Sequence, residues 1–150
     1  MDKHVDLLIV GAGISGIGLA AHLTKHCPQR SFEIIERRDS FGGTWDLFKY
    51  PGIRSDSDMS TFGFNFKPWQ QASVLADGSS IKGYLAEVID EQKFKEKIHF
   101  KHRVLSANYD SAQKKWQVVI ENAKGKKENW IANFVFGCTC LLYTSDAADD

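Results

Sequence analysis

The first 36 residues carry three successive hydrophobic patterns. Residues 5–10 form a short, mostly apolar run, broken only by Asp6, which is typical of a buried parallel strand. Residues 15–26 have the periodicity of a helix, which should end near Cys27 because Pro28 follows. Residues 31–36 have the pattern of a second strand. This order predicts a β-α-β unit with a right-handed parallel crossover.

The rest of the chain begins with a long irregular segment. Residues 37–69 are rich in aromatic residues and glycine, and a loop of that length is usually functional. Ser80 is predicted to cap a helix that runs to about Lys95. Further strands are predicted at residues 98–100, 104–109, 116–121 and 129–138. The second and third of these should form an antiparallel pair, so the predicted fold class is α/β, a parallel sheet with an antiparallel β excursion.

Composition and charge narrow the range of partners. Nineteen basic residues balance nineteen acidic ones among 150, which gives no electrostatic reason to expect nucleic acid or an anionic membrane. The longest apolar stretch, residues 134–143, is too short to span a bilayer. The three cysteines have neither zinc-site nor redox spacing, so no metal site is predicted. With no signal-peptide pattern, these features favour a cytoplasmic protein, and peripheral membrane association stays open.

A glycine-rich turn lies between the first predicted strand and the first predicted helix. Gly11 permits the tight turn, Gly13 lets the backbone approach a pyrophosphate, and Gly16 lets the helix pack close to the strand. Ser15 adds a hydroxyl beside free N–H groups at the positive end of the helix. Glu36 ends the second strand, where a carboxylate hydrogen-bonds ribose hydroxyls. The alternative is a plain strand-turn-helix with a solvated glutamate.

The acid and the segment after it distinguish between dinucleotides. A carboxylate at Glu36 disfavours the 2′-phosphate of NADP by charge repulsion, which leaves NAD and FAD. Gly42 and Gly43 allow a second close approach of backbone and ligand, which suits a long cofactor lying across the domain. Thr44 can donate to phosphate, and Trp45 can pack beside a flat ring system. These residues favour FAD.

Residues 42–59 make the prediction more specific. They read Gly-Gly-Thr-Trp-Asp-Leu-Phe-Lys-Tyr-Pro-Gly-Ile-Arg-Ser-Asp-Ser-Asp-Met. This segment resembles the class B flavoprotein monooxygenases, and among them it is most similar to Baeyer–Villiger monooxygenases of the ethionamide-activating type. The resemblance runs from about residue 5 to residue 139. It implies the N-terminal part of an FAD- and NADPH-dependent enzyme, with an incomplete Rossmann-like FAD-binding domain.

The resemblance also implies roles for individual residues. Positions that contact FAD in the family are matched by Ser15, Glu36, Thr44, Trp45, Asp46, Leu47, Asp56 and Val104. Val104 would act through its backbone, near the adenine. A stretch that faces NADP at the flavin is matched by Arg54, Ser55 and Asp56. No catalytic residue is identified, and Asp56 is a candidate because it would lie near both the flavin and NADP.

The activity implied by the resemblance is oxygen transfer. In this family the reduced flavin reacts with O2, and one oxygen atom is transferred to a ketone or to a soft sulfur or nitrogen. The expected partners are O2 and a small ketone, thioether or thioamide. The family's second glycine-rich turn, its His-containing fingerprint and its catalytic arginine do not occur in this chain, which is therefore expected to be inactive alone. Two alternatives remain open: a flavin-containing monooxygenase that oxygenates nitrogen or sulfur, and an FAD-binding module without turnover.

Simpler roles compete for several residues in this segment and beyond it. Asp56 and Asp58 could cap a short helix, and Arg54 could form a surface ion pair. The five histidines lack metal or triad spacing and receive no role. Packing is expected for six aromatic residues: Phe62, Phe64, Phe66, Trp69, Trp116 and Trp130.

The last eleven residues do not continue the pattern of the fold. Residues 140–150 match the translation of a common sequencing adapter, and Cys140 stands where the family has a glycine. We therefore predict a domain over residues 1–139 and a non-native tail over residues 140–150.

Overall fold

The computed structural model describes residues 2–139, so the predicted tail lies outside the described residues. The first three strands of the sheet are β1 (Lys3–Val10), β2 (Phe32–Glu36) and β3 (Ile98–Phe100). The remaining three are β4 (Arg103–Asp110), β5 (Lys115–Glu121) and β6 (Lys127–Gly137). The helices are α1 (Ile14–His26), α2 (Thr44–Leu47), α3 (Met59–Phe62) and α4 (Gly78–Gln92). A single 3-10 turn at Lys95–Lys97 precedes β3.

One six-stranded sheet, in the order β3-β2-β1-β6-β5-β4, organises the fold. The first β-α-β unit is parallel as predicted, with Leu7 opposite Phe32. Strand β6 also runs parallel to β1, while β4, β5 and β6 are joined as antiparallel neighbours. The predicted α/β class, the antiparallel excursion and every predicted strand are therefore confirmed, with ends that differ by one to two residues.

Helices α1 and α4 pack together and cover the main apolar core. That core joins Leu7 and Ile9 of β1 to Ile17 of α1 and Leu85 of α4, all of which are buried. A smaller core lies among β1, β5 and β6, where Trp130 is buried and Trp116 packs at its edge. Both tryptophans therefore have the packing role predicted for them.

Helix α4 begins and ends earlier than the sequence pattern predicts. Its cap is Asp77, whose carboxylate accepts hydrogen bonds from the backbone N–H of Ser80 and from the hydroxyl groups of Ser79 and Ser80. The prediction that Ser80 is the cap was therefore wrong, because the aspartate three residues before it takes that role. The helix ends at Gln92, since Lys93 adopts a left-handed conformation.

The irregular segment after β2 is ordered by short helices and aromatic contacts. Asp58 caps α3 by accepting from the N–H and the hydroxyl of Thr61, so the capping alternative for this residue is confirmed. The ring of Phe64 stacks on that of Tyr84 of α4, and the hydroxyl of Tyr84 accepts from the N–H of Phe64. The predicted aromatic packing is confirmed here, since the four aromatic residues pack against core clusters: Phe62, Phe64, Phe66 and Trp69.

None of the helices within residues 2–139 has the length and apolar character needed to cross a bilayer.

Gly16 provides a direct test of how closely α1 packs on the first turn. A Cβ atom added there would overlap the carbonyl oxygen of Gly11, which is backbone and cannot rotate away. We expect Gly16→Ala to lower the free energy of unfolding by about 1–3 kcal/mol, as overpacking does. Gly83→Ala in α4 is the control, because a Cβ there meets nothing within 4 Å and alanine favours a helix by up to about 1 kcal/mol. Urea unfolding of both variants checks this, and equal stability of the two would contradict the packing.

Glu128 provides a test by pH. Hydrogen bonds from Asn122 and Lys3 lower the pKa of the Glu128 carboxyl from 4.5 to about 2, with Trp130 adding a third. A lowered pKa in the folded state means that this stabilisation is full above pH 4.5 and is lost as the pH falls towards 2. Glu128→Gln should therefore flatten the loss of stability between about pH 5 and about pH 3.

The measurement for Glu128 is urea unfolding at both pH values. Glu121→Gln on the neighbouring strand is the control and should keep the slope of the parent chain. A parent-like slope for Glu128→Gln would contradict the role of these contacts.

Candidate functional site

A cleft of about 390 Å³ opens where β1, β2 and β6 end. The three strands are parallel, so their carboxyl ends share one edge of the sheet, where ligands of α/β proteins bind. Its walls come from both glycine-rich segments and from the start of β4. The lining residues are Val10, Gly11, Gly13, Ile14, Ser15, Ile35, Glu36, Arg37, Gly42, Gly43, Thr44, Trp45, His102, Arg103, Val104, Cys138 and Thr139.

The first glycine turn is held between β2 and β6. The N–H of Gly11 donates to Ile35 at 2.8 Å, and the N–H of Cys138 donates to Val10 at 2.8 Å. Gly11 has a φ of +110°, and a Cβ there would lie 2.6 Å from the carbonyl oxygen of Cys138. Glycine is therefore required by both conformation and space at this position.

Gly13 has no such requirement from the chain itself. Its φ of −82° and ψ of −170° form an extended backbone that any residue can adopt. An added Cβ would lie 3.6 Å from the Cα of Gly43, which is an ordinary van der Waals distance. The folded chain thus has room for a Cβ at Gly13, and because Gly13 lines the cleft, a larger side chain would occupy part of the cleft.

The start of α1 faces this cleft without a side-chain cap. Gly13 is the N-cap and offers no side-chain acceptor, and the first turn of the helix contains no acidic residue. Ser15 in that turn lines the cleft. The N–H groups at a helix start and the positive end of the helix dipole favour an anion at this place.

Glu36 links the first turn to the end of β2. It is 7% exposed, and its two carboxylate oxygens accept from the N–H of Ala12 at 2.8 Å and from the N–H of Arg38 at 2.9 Å. Each oxygen keeps a second acceptor site, because a carboxylate offers about four lone-pair positions. The side chain can therefore hold the turn in place and still accept from hydroxyl groups in the cleft.

The second glycine turn lies directly against the first. The N–H of Gly42 donates to the carbonyl oxygen of Ala12 at 2.9 Å. Gly43 has a φ of +55°, and a Cβ there would lie 3.1 Å from the Cα of Gly13. The two turns form one continuous backbone wall, which continues into the lining residues Thr44 and Trp45.

Asp46 and Leu47 complete α2 but do not line this cleft. The Asp46 side chain is 6% exposed and pairs with Arg38 Nη2 at 2.6 Å and with Lys82 Nζ at 2.5 Å. Burial raises the pKa of its carboxyl, but the hydrogen bond and charge of Lys82 and the charges of Arg38 and Lys49 outweigh burial and hold the pKa below its usual value. Leu47 is 39% exposed.

The segment 54–56 also lies outside the lining of the cleft. Arg54 forms an isolated antiparallel bridge with Asp77, and Asp56 is exposed. Ser55 is 2% exposed, and its hydroxyl donates to the carbonyl oxygen of Ser57. The predicted roles of these three residues toward NADP and FAD stay predictions.

Three basic residues of the cleft were missed by the sequence reasoning. Arg37 follows the acid of β2, while His102 and Arg103 lie at the start of β4, next to the predicted contact Val104. The N–H of His102 donates to the carbonyl oxygen of Glu36 at 3.0 Å, which brings β4 to the cleft. The available signal was the position of Arg37 beside the acid. The resemblance had already matched Val104 to an FAD contact, whereas no local hydrophobic pattern indicates the approach of β4 to β2.

Comparison with known proteins agrees with this arrangement. Residues 9–77 match the family model described as an NAD(P)-binding Rossmann-like domain. "Probable FAD-binding monooxygenase AlmA" of Acinetobacter baylyi is 76% identical over 139 residues, which cover 93% of this chain and 28% of that protein. "FAD-containing monooxygenase EthA" of Mycolicibacterium smegmatis is 50% identical over 139 residues, with the same coverage.

Solved structures give the same result for the fold. A closed crystal structure of cyclohexanone monooxygenase superposes with a TM-score of 0.82 at 27% identity, covering 97% of this chain and 28% of that one. An oxidised steroid monooxygenase bound to NADP gives a TM-score of 0.79 at 28% identity, covering 91% of this chain and 26% of that one. The chain spans a little over a quarter of the length of these relatives. By sequence the chain is therefore similar to the corresponding quarter of FAD-containing monooxygenases, and its fold is Rossmann-like.

Proposed function

We propose that this chain is the FAD-binding part of a longer FAD- and NADPH-dependent monooxygenase of the Baeyer–Villiger type. The proposal includes the substrate class: one oxygen atom of O2 is inserted into a ketone, or a soft sulfur or nitrogen centre is oxidised. Its support is the 45–76% identity to FAD-binding and FAD-containing monooxygenases, together with the cleft. Cys27 and Cys138 are free thiols, which agrees with the cytoplasmic location that we include in the proposal.

The observation that carries the proposal is that the folded chain itself does not require glycine at position 13. Gly11 and Gly16 are explained by the chain's own packing, whereas Gly13 has an ordinary backbone and room for a Cβ. A missing side chain at the bare start of a helix is what a bound pyrophosphate requires. The residues present therefore fit a dinucleotide, and Gly43 extends the same wall towards Trp45.

The chain's own residues then have separate tasks. The helix start and Ser15 would bind the pyrophosphate, while Glu36 would accept from ribose hydroxyls with the acceptor sites that the two backbone N–H groups leave over. The backbone beside Val104 would face the adenine, and Arg37 adds positive charge near the phosphates. When bound, FAD supplies the redox chemistry that activates O2. The negative charge of Glu36 disfavours a 2′-phosphate, so this cleft favours FAD over NADP.

The first prediction of the proposed function concerns Gly13→Val. We expect the chain to bind FAD and this variant to lose FAD binding by about 100-fold or more, because the branched side chain takes the space of the pyrophosphate. Gly83→Val is the matched control, since the same substitution there enters open space on α4. Equilibrium dialysis with FAD measures both, and circular dichroism checks that they fold. Unchanged FAD affinity in folded Gly13→Val would refute the assignment of this cleft.

The second prediction concerns turnover. The proposal places the NADPH-binding and catalytic parts in a longer enzyme, so this chain with added FAD should not oxidise NADPH above the rate of free FAD. Absorbance at 340 nm under air follows the reaction. A rate that depends on the concentration of the chain would overturn this part of the proposal, and it would favour a complete reductase site within residues 1–150.

A further inference from the structure

A group of three charges, centred on the buried carboxylate of Asp46, lies behind the second glycine turn. Asp46 of α2 is bonded by Arg38 on one side and by Lys82 of α4 on the other, at 2.6 and 2.5 Å. Both of its oxygens are occupied by these cations, and its side chain does not line the cleft. We call Asp46, Arg38 and Lys82 the charged triad.

The triad contacts the second turn directly. A Cβ added at Gly42 would lie 3.1 Å from the Cβ of Asp46 and 3.6 Å from the Cγ of Lys82, so these side chains form the surface on which Gly42 rests. Arg38 Nη1 also donates to the carbonyl oxygen of Gly43, at 3.4 Å. Lys82 Nζ donates in addition to the hydroxyl of Ser40, at 2.9 Å, on the approach to the turn.

The triad is also connected to Glu36 at the end of β2. The backbone N–H of Arg38 donates to Glu36, whose other oxygen accepts from Ala12 of the first turn. Ala12 in turn accepts from the N–H of Gly42. A continuous network of hydrogen bonds thus connects the triad, through Glu36 and Ala12, to the second turn.

We propose that Asp46 is a positioning residue of the dinucleotide site, which acts with Arg38 and Lys82 to hold the second glycine turn against the first. This inference rests on the proposed function, because it assigns the triad to FAD affinity. Both glycines of the turn have positive φ, at +116° and +55°, so the turn is held by its contacts and not by side chains of its own. The net charge of the triad is +1, which also favours the nearby phosphates.

The test compares FAD dissociation constants of the whole chain and its variants. Asp46→Asn and Lys82→Met should each weaken FAD binding about tenfold or more, since one partner of a buried ion pair is removed. Lys82→Arg keeps the charge and should stay within about threefold of the parent chain. The double variant that combines Asp46→Asn with Lys82→Met should bind FAD about as weakly as either single variant, because the effects of substitutions at residues in contact are not additive.

Lys67→Met is the matched control for a purely structural effect. Lys67 lies before α4 and pairs with Glu87 and Glu91 of that helix, away from the cleft, at 3.0 and 2.6 Å. It should lower the midpoint of thermal unfolding without changing the FAD dissociation constant. Circular dichroism at the temperature of the titration shows that each variant is folded. If Asp46→Asn does not fold, the FAD dissociation constant of Lys82→Met tests the inference instead. The Lys82 side chain is one-third exposed, so its replacement should disturb folding less.

Three results would overturn the inference. One is parent-like FAD affinity in folded Asp46→Asn or Lys82→Met. Another is a loss in Lys67→Met as large as that in Lys82→Met, which would mean that lowered stability alone explains the effect. The last is strict additivity in the double variant. Failure of the proposed function has a different signature, because the parent chain itself would then not bind FAD.

Discussion

The contact between the two glycine turns is the constraint on which the site depends. One hydrogen bond, from the N–H of Gly42 to Ala12, and the close approach of Gly43 to Gly13 join segments that are thirty residues apart. At the point of closest approach, Gly13 and Gly43 have no side chain that could fill a gap between the turns. The backbone must therefore be placed accurately by what surrounds it, and in the described chain that is Glu36 on one side and the charged triad on the other.

The parallel sheet supplies the frame for that contact. Strands β1 and β2 end at Val10 and Glu36, and the parallel pairing of β1 with β6 brings Cys138 against Gly11. The close packing of Gly16 on Gly11 then fixes where α1 begins. The ends of these strands determine the positions of the start of α1, of Glu36 and of the second turn. A change in sheet register would therefore disrupt the whole cleft.

The sequence predicted much of this, and the reasons for the misses are physical. The strands and α1 have strong hydrophobic patterns. Apolar residues such as Leu7 and Ile17 therefore indicated which positions are buried. The cap of α4 was misplaced because Asp77 and Ser80 are both good caps and only geometry decides between them. Long-range contacts carry no local signal: the ion pairs of Asp46 with Lys82, 36 residues away, and the approach of His102 to Glu36 became visible only in three dimensions.

The most direct test of a single FAD site is the change in the backbone amide spectrum of the ¹⁵N-labelled chain when FAD is added. If both turns bind one FAD molecule, the amides of residues 11–16 and residues 42–45 shift together at one binding constant, while those of the β4–β5 hairpin tip at residues 111–114 stay unchanged. Shifts confined to the first turn, or shifts at the second turn with a separate binding constant, would contradict the claim that the two turns form one FAD site.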